Sequence, residues 1–262
     1  MSLIFFLLFC SKAYGQLKPV QSIAWISEEM HMMRFVGSDV TFEPNREGED
    51  YLYYLSIDTL VLVDKVFPSN EIRARAHKFL MSRKGNELLI LTPINDNAKR
   101  FSKVPYYTFR NTDYTVDHTL KFKSLHYNVG GCAGCGLRTV NIDNKGNCYV
   151  KKGAGLDTGY FKGKLSSMQL DTLNNLLQRS GIRKLQGWIP DRWLSSGAAK
   201  NVVIEYNGNI LRMKNRILPW VTRDLLQYVQ LSAIKLPLVP DVERYNYKRD
   251  GDETTEYKSD IH

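Results

Sequence analysis

Cys132 and Cys135 lie in a glycine-rich turn and are the residues best placed to do chemistry. Cys148 follows one hairpin strand later. If that hairpin is straight, Cys148 lies opposite Ile142, seven residues beyond Cys135. At ~3.3 Å per residue this separation exceeds ~20 Å and is outside disulfide reach. We therefore expect Cys132 and Cys135 to form a disulfide with each other, and Cys148 to be a small buried apolar residue.

Two other uses of this cysteine pair stay open. A redox-active pair normally lies at a helix N-terminus, which lowers the thiol pKa, whereas here a strand is predicted to follow. A metal site would combine Cys132 and Cys135 with His126 or His118, but the spacing supplies no second pair of ligands for a tetrahedral set. A thiol-disulfide or metal-dependent activity is therefore an alternative to a structural disulfide.

Possible ligand contacts occur in two further places. Trp188 and Trp193 lie in a long connection, where flat indole faces could stack on a sugar or fold back to close the core. In a later strand, Arg212, Lys214 and Arg216 alternate with apolar residues, which predicts one buried and one basic face. No motif for nucleotide binding, hydrolysis or zinc proteolysis occurs in the sequence, so we expect no catalytic residue, metal site or cofactor.

The first residues predict export. Residues 3–9 are an unbroken apolar run, and small residues at Ala13 and Gly15 fit a signal peptide of residues 1–15, removed after Gly15. The run is too short to span a membrane, so we do not expect an integral membrane protein. A periplasmic or secreted location is predicted. The alternative is an outer-membrane lipoprotein through Cys10, although Phe9 is bulky for the residue before a lipidated cysteine.

The chain of 262 residues carries a formal net charge of +9, spread along its length. A basic surface attracts polyanions at long range. Because no module with stacking aromatics at fixed spacing is present, we do not expect nucleic acid as a partner. The expected partners are an anionic envelope polymer or another envelope protein.

The region of residues 16–125 reads as short strands separated by turns. Aromatic and β-branched runs at 51–57 and 59–63 flank Asp58 and predict a tight hairpin. Further strands are predicted at 77–81, 87–92, 106–110 and 119–125. This spacing is typical of an antiparallel meander that forms a sandwich or a partial barrel.

The region of residues 126–236 predicts a ββαββα unit with two helices on one face of an antiparallel sheet. One hairpin turns at residues 144–146, and another turns at Asn207 and Gly208. The first helix begins at Ser166 with a capping box to Gln169 and stops at Gly181. The second helix begins near Pro219 and ends before Pro237. Residues 237–262 are polar and charged, and a disordered tail is predicted there. The overall fold class is α+β.

The segments Gly131-Cys132-Ala133-Gly134-Cys135, Gly159–Ser166 and Glu205–Gly208 resemble an exported bacterial domain of unknown function over residues 125–236. Members of that family usually carry a proline after the last cysteine, where this chain has Gly136. The resemblance implies a fold and a compartment but no activity. The early hairpin and Trp25 also resemble lipocalin-type barrels. We therefore expect a non-catalytic binding or structural module of the envelope, with a carrier of small hydrophobic ligands in the β-rich region as the alternative.

Overall fold

The computed structural model describes residues 20–21, 23–45, 50–65, 75–102, 104–130, 137–153, 158–188 and 199–242. These residues separate into two compact units. The first contains the described residues up to Asp117 together with Pro219–Val221, and the second contains His118–Leu218 and the residues from Thr222 onward. Each unit has its own antiparallel sheet.

The first unit is a closed barrel of eight strands in chain order. Its strands are β1 (Ala24–Ser27), β2 (Met32–Val36), β3 (Asp39–Phe42), β4 (Asp50–Ser56), β5 (Thr59–Val63), β6 (Ala76–Lys84), β7 (Leu88–Pro93) and β8 (Tyr107–Asn111). Closure is made by β1 and β8, which pair Trp25 with Asn111. Short 3-10 helices cover Glu43–Asn45 and Thr112–Tyr114.

Alternation of side chains fills the interior of the barrel. In β5, Leu60 and Leu62 are fully buried, and the alternate residues Thr59, Val61 and Val63 are half-buried. Phe42 lies at the centre of an aromatic cluster, with its ring centroid between 5.3 and 5.9 Å from those of Phe79, Phe101, Tyr107 and Phe109. The interior is therefore packed with rings at ordinary aromatic contact distances.

Phe101 reaches this cluster from α1 (Asp96–Phe101), the short helix between β7 and β8. Asn95 caps the helix, since its side-chain oxygen accepts from the backbone N–H of Ala98 at 3.0 Å. The same oxygen accepts from the Lys78 N–H, and the Asn95 amide donates to the Ala76 carbonyl. One asparagine thus fixes α1 against β6.

The second unit is a seven-stranded sheet with the order β14-β13-β9-β10-β11-β12-β15. Its strands are β9 (Phe122–Gly130), β10 (Leu137–Asp143), β11 (Asn147–Lys152), β12 (Gly159–Lys164), β13 (Ala199–Tyr206), β14 (Asn209–Asn215) and β15 (Val239–Pro240). All described pairs are antiparallel. Two helices accompany them, α2 (Ser167–Arg179) and α3 (Arg223–Lys235). A 3-10 turn at Trp220–Thr222 precedes α3 in the chain, and only its last residue belongs to this unit.

Local signals set the ends of α2. The Gln169 N–H donates to the Ser166 hydroxyl at 3.3 Å, and the Ser166 N–H donates to the Gln169 side-chain oxygen at 2.8 Å. Gly181, just past the helix, has a φ of +59°, a conformation that glycine adopts without strain. The predicted capping box and the predicted helix stop are therefore confirmed.

The α+β class and the strand-rich first half are confirmed. The β4–β5, β10–β11 and β13–β14 hairpins and both long helices occur where the sequence predicts them. The meander forms a fully closed barrel rather than a sandwich or a partial one. The three additional strands are β1, β2 and β3, which the sequence pattern does not predict.

Two further predictions need correction. The strand predicted at 119–125 is β9, and it belongs to the second sheet, where it lies between β10 and β13. The predicted ββαββα order omits β9, β12 and β15. The predicted order contains no strand at residues 159–164, although they pair with β11 along their whole length. Pairing with a neighbouring strand, which local pattern does not reveal, makes them a strand.

Among the helices that the structure describes, none combines the length and the hydropathy needed to cross a lipid bilayer.

Candidate functional site

The two faces of the seven-stranded sheet differ sharply in character. One face is apolar: a row across the strands consists of Met213, Val202, Tyr127, Val140, Val150 and Phe161. The Gln230 amide of α3 donates to the Tyr127 hydroxyl, so α3 lies on this face. Burial raises the pKa of Tyr127, and the hydrogen bond from Gln230 opposes part of that rise.

The opposite face, here called the polar face, is built from the alternate residues of the same strands. Cross-strand partners lie on one side of a sheet, so the register defines its rows directly. The first row is Arg212, Val203, His126, Asn141, Tyr149 and Lys162. The second row, two residues along each strand, is Lys214, Asn201, Asn128, Thr139, Lys151 and Tyr160.

The charges of these rows all have one sign. The twelve residues of the two rows include four cations and no acidic side chain. Arg212 and Lys214 stand together on β14, and both are exposed. Lys162 ends the first row on β12, and Lys151, on β11, is the last but one of the second row. Strands lie ~4.8 Å apart, so about 24 Å separates the strands of Arg212 and Lys162.

Acidic groups near these rows already have partners. Glu205 forms an ion pair with Lys123 at 3.1 Å. The Asp143 carboxylate accepts the N–H of Lys145 and both the backbone and side-chain N–H groups of Asn147, at 2.7–2.9 Å. Asp241 lies 3.6 Å from the Lys162 ammonium. One of the four cations, Lys162, therefore has an acidic group beside it.

The centre of the polar face is buried and hydrogen-bonded. His126 is 2% exposed, and its Nδ1 lies 2.7 Å from Oδ1 of Asn141. Because an amide oxygen only accepts, Nδ1 of His126 carries the proton. In the next row the Asn128 amide donates to the Thr139 hydroxyl at 2.9 Å. These pairs hold four polar side chains in fixed orientations between the two cationic ends.

One donor in this centre is not satisfied. Asn141 is 9% exposed, and its Nδ2 makes no hydrogen bond to the residues that the structure describes. A buried polar group without a hydrogen-bond partner costs about 1–3 kcal/mol of stability. An N–H group in such a place is suited to an oxygen acceptor, and an anionic oxygen is the strongest acceptor available.

The predicted ligand contacts are only partly brought together. Arg212 and Lys214 share the polar face, and Arg216 is exposed just beyond the end of β14. Trp188 is half-buried in the turns after α2, and its backbone N–H donates to the Leu185 carbonyl. Trp193 lies outside the described residues.

The sequence reasoning did not predict the buried centre. Polar residues alternate with large apolar ones at 124–128 and again at 139–143, a pattern that indicates a polar and an apolar face of a sheet. That alternation was the available signal. Only the pairing of β9 with β10 brings His126 and Asn141 together.

Of the predictions made for the cysteines, the structure tests only the one for Cys148. Cys148 is fully buried and opposite Ile142, as predicted, and burial raises the pKa of its thiol to about 12. Cys132 and Cys135 lie outside the described residues, and so does Cys10, so their disulfide and lipidation stay predictions. Within the described ranges, no group of three or more His, Cys, Asp or Glu side chains could hold a metal ion. His118 is exposed ahead of β9, whereas His126 is buried within it.

The barrel contains a separate polar pair. His77 is buried, its Nε2 lies 3.0 Å from Oδ1 of Asp64, and its ring stacks on Phe101 at 4.2 Å. Nδ1 of His77 has no hydrogen-bond partner among the described residues. The closed strand set that a ligand carrier requires is present, but aromatic rings occupy the interior around Phe42. This packing does not favour the carrier hypothesis.

No protein-family model, curated protein or solved structure matches this chain.

Proposed function

We propose that this protein is a non-catalytic binding module of the cell envelope, and that the polar face of its second sheet binds an anionic polymer. The observation that carries the proposal is the charge of the two central rows, which present four cations and no acid. A sheet face with one sign of charge raises the local concentration of a polyanion and speeds its association.

The geometry suits a ligand with repeated charges. The cations lie in two pairs toward opposite ends of the rows, with their strands about 19 to 24 Å apart. A single small anion meets only one pair, whereas an extended polymer that crosses the strands meets both. Arg212 and Lys214 are the exposed pair, so first contact is expected at β14. Arg212 adds two parallel N–H donors that match a carboxylate, sulfate or phosphate group.

Export is part of the same proposal. The apolar run at 3–9 supports cleavage after Gly15, and an oxidising compartment supports the disulfide between Cys132 and Cys135. Intact mass of protein recovered from the export compartment tests both points. After denaturation, we expect one alkylated thiol without reductant and three with it, all on a chain that lacks residues 1–15. Full-length protein found inside the cell would contradict export.

Binding is tested with dextran sulfate as the polyanion and neutral dextran as the matched uncharged polymer. We expect binding to dextran sulfate at low salt, its loss as salt screens the charges, and no binding to neutral dextran. The double variant Arg212→Glu, Lys214→Glu is expected to weaken binding by at least about tenfold, because reversed charges repel the polymer.

The control for this variant is Lys235→Glu, which makes the same kind of charge change on the exposed end of α3. The loss of affinity per reversed charge is compared between the two variants. If Lys235→Glu loses as much per charge as the β14 double variant, binding depends only on the overall charge, and the polar face is not the site. Unchanged binding by the double variant leads to the same conclusion.

A further inference from the structure

The outer wall of the barrel carries a second surface, independent of the polar face. Tyr54 of β4 is 61% exposed, Ile57 in the turn after β4 is 77% exposed, and Leu80 of β6 is 40% exposed. The half-buried Val61 of β5 lies between Tyr54 and β6 in the register. We call these four side chains the outer patch. Exposed apolar groups that lie close together, here on β4, on β6 and in the turn after β4, are typical of an interaction surface.

Ile57 adds an independent observation. It occupies the two-residue turn between β4 and β5 with a φ of +43°. A β-branched residue rarely adopts a positive φ, because its Cβ substituents crowd the backbone. The comparable turn between β13 and β14 uses Asn207 and Gly208, which adopt such angles readily. A strained, exposed apolar residue at a turn tip is the kind of outlier from which a functional role can be inferred.

Two charges lie on opposite sides of Leu80. Lys78 is two residues earlier on the same face of β6, and Asp58 is next to Thr59, the residue that pairs with Leu80. Both side chains are exposed. Neither forms an ion pair within the described part of the chain. The outer patch therefore has an acidic side and a basic side.

We propose that the outer patch binds a second copy of this chain in a two-fold symmetric dimer. A two-fold axis through Leu80 brings Leu80 against its own counterpart and places Lys78 of each copy against Asp58 of the other. In such an isologous contact every complementary pair occurs twice, so one opposite pair of charges on the patch satisfies both copies. The Ile57 turn then packs over the apolar surface near Val61 of the other copy.

A partner protein with an apolar pocket, or a lipid surface, could also cover apolar side chains. The charges of Lys78 and Asp58 favour a second copy over these alternatives. The Asp58 carboxylate beside Ile57 opposes contact with anionic lipid. The same charges complement the patch itself, with no need for another partner.

Sedimentation equilibrium of the full chain over a wide concentration range tests the proposal. We expect a reversible monomer–dimer equilibrium. Lys78→Asp alone and Asp58→Lys alone each bring like charges together and are expected to raise the dimer dissociation constant by about tenfold. The double variant Lys78→Asp, Asp58→Lys restores opposite charges and is expected to return the constant to within about threefold of the unmodified protein.

Lys99→Asp is the matched control, since Lys99 is an exposed cation on α1 that is not part of the outer patch. It is expected to leave the equilibrium unchanged. Leu80→Ser is a second variant, which changes no charge and does not alter the Asp58 turn, and it is expected to weaken association. A chain that stays monomeric at the highest concentration overturns the proposal. A double variant no tighter than the single variants overturns it as well.

Discussion

The thiol of Cys148 gives the sharpest quantitative expectation. Cys148 lies on the apolar face of the second sheet, between Ile142 and Gly163 of the neighbouring strands. Burial disfavours its thiolate and raises its pKa from 9.0 to about 12. In the folded protein this thiol keeps its proton at pH values where the unfolded chain has lost it. The stability that it contributes is therefore complete below pH 9 and is lost as the pH rises toward 12.

The size of both effects follows from that shift. At pH 8 the thiolate fraction falls from about one in ten for an ordinary thiol to about one in ten thousand, so alkylation slows by about a thousandfold. Between pH 8 and pH 10 the free energy of unfolding should fall by roughly 1 kcal/mol more in the protein with Cys148 than in Cys148→Ala. The alanine variant is the control, because it has the same remaining titratable groups.

The assay uses a background in which Cys10, Cys132 and Cys135 are replaced by serine, so that Cys148 is the only thiol. Iodoacetamide labelling at pH 8, read by intact mass, gives the reaction rate, and urea unfolding at both pH values gives the stability difference. Labelling of the folded protein at the rate of an ordinary thiol would refute the buried position and the register of β10 with β11. It would also make Cys148 a candidate for thiol chemistry.

Three further changes test the packing. Ser166→Ala removes half of the capping box and is expected to lower the free energy of unfolding in urea by about 1 kcal/mol, with Ser167→Ala as a near-neutral control. Gly163→Ala places a Cβ 3.0 Å from Cδ2 of Leu238. Because Leu238 is half-buried and its side chain can shift, we expect the free energy of unfolding to fall by only about 1 kcal/mol; a loss of several kcal/mol would mean that Leu238 is held in place. Phe101→Ala removes a ring from the barrel cluster and should cost about 2–4 kcal/mol, whereas a loss below that range would mean that the cluster repacks.

Local chemistry made several elements predictable. Asn207 and Gly208 determine the β13–β14 turn because both residues adopt positive φ angles, and the observed values are +46° and +78°. The exposed Arg212 and Lys214 follow from strict alternation in β14. The Ser166 cap depends only on residues within one helical turn. Each of these features is decided by interactions between near neighbours in the chain.

The candidate site was less predictable, since its parts come from distant segments. The cations of β14 could be predicted, but the other two cations of the rows, Lys162 and Lys151, lie on strands that come 50 or more residues earlier. The strand β12 was missed altogether, because two glycines and two lysines give it little strand propensity of its own.

The amino-acid sequence by itself determined the hairpins, the helix ends and the buried state of Cys148, because turn geometry, capping and apolar alternation act over a few residues. Only the tertiary structure decided that β1 closes the barrel against β8 and that β9 inserts between β10 and β13. The β1–β8 and β9–β13 pairings join residues 69 to 86 positions apart. The free energy that selects them comes from burial shared by whole sheets. The polar face exists only because β9 lies between β10 and β13.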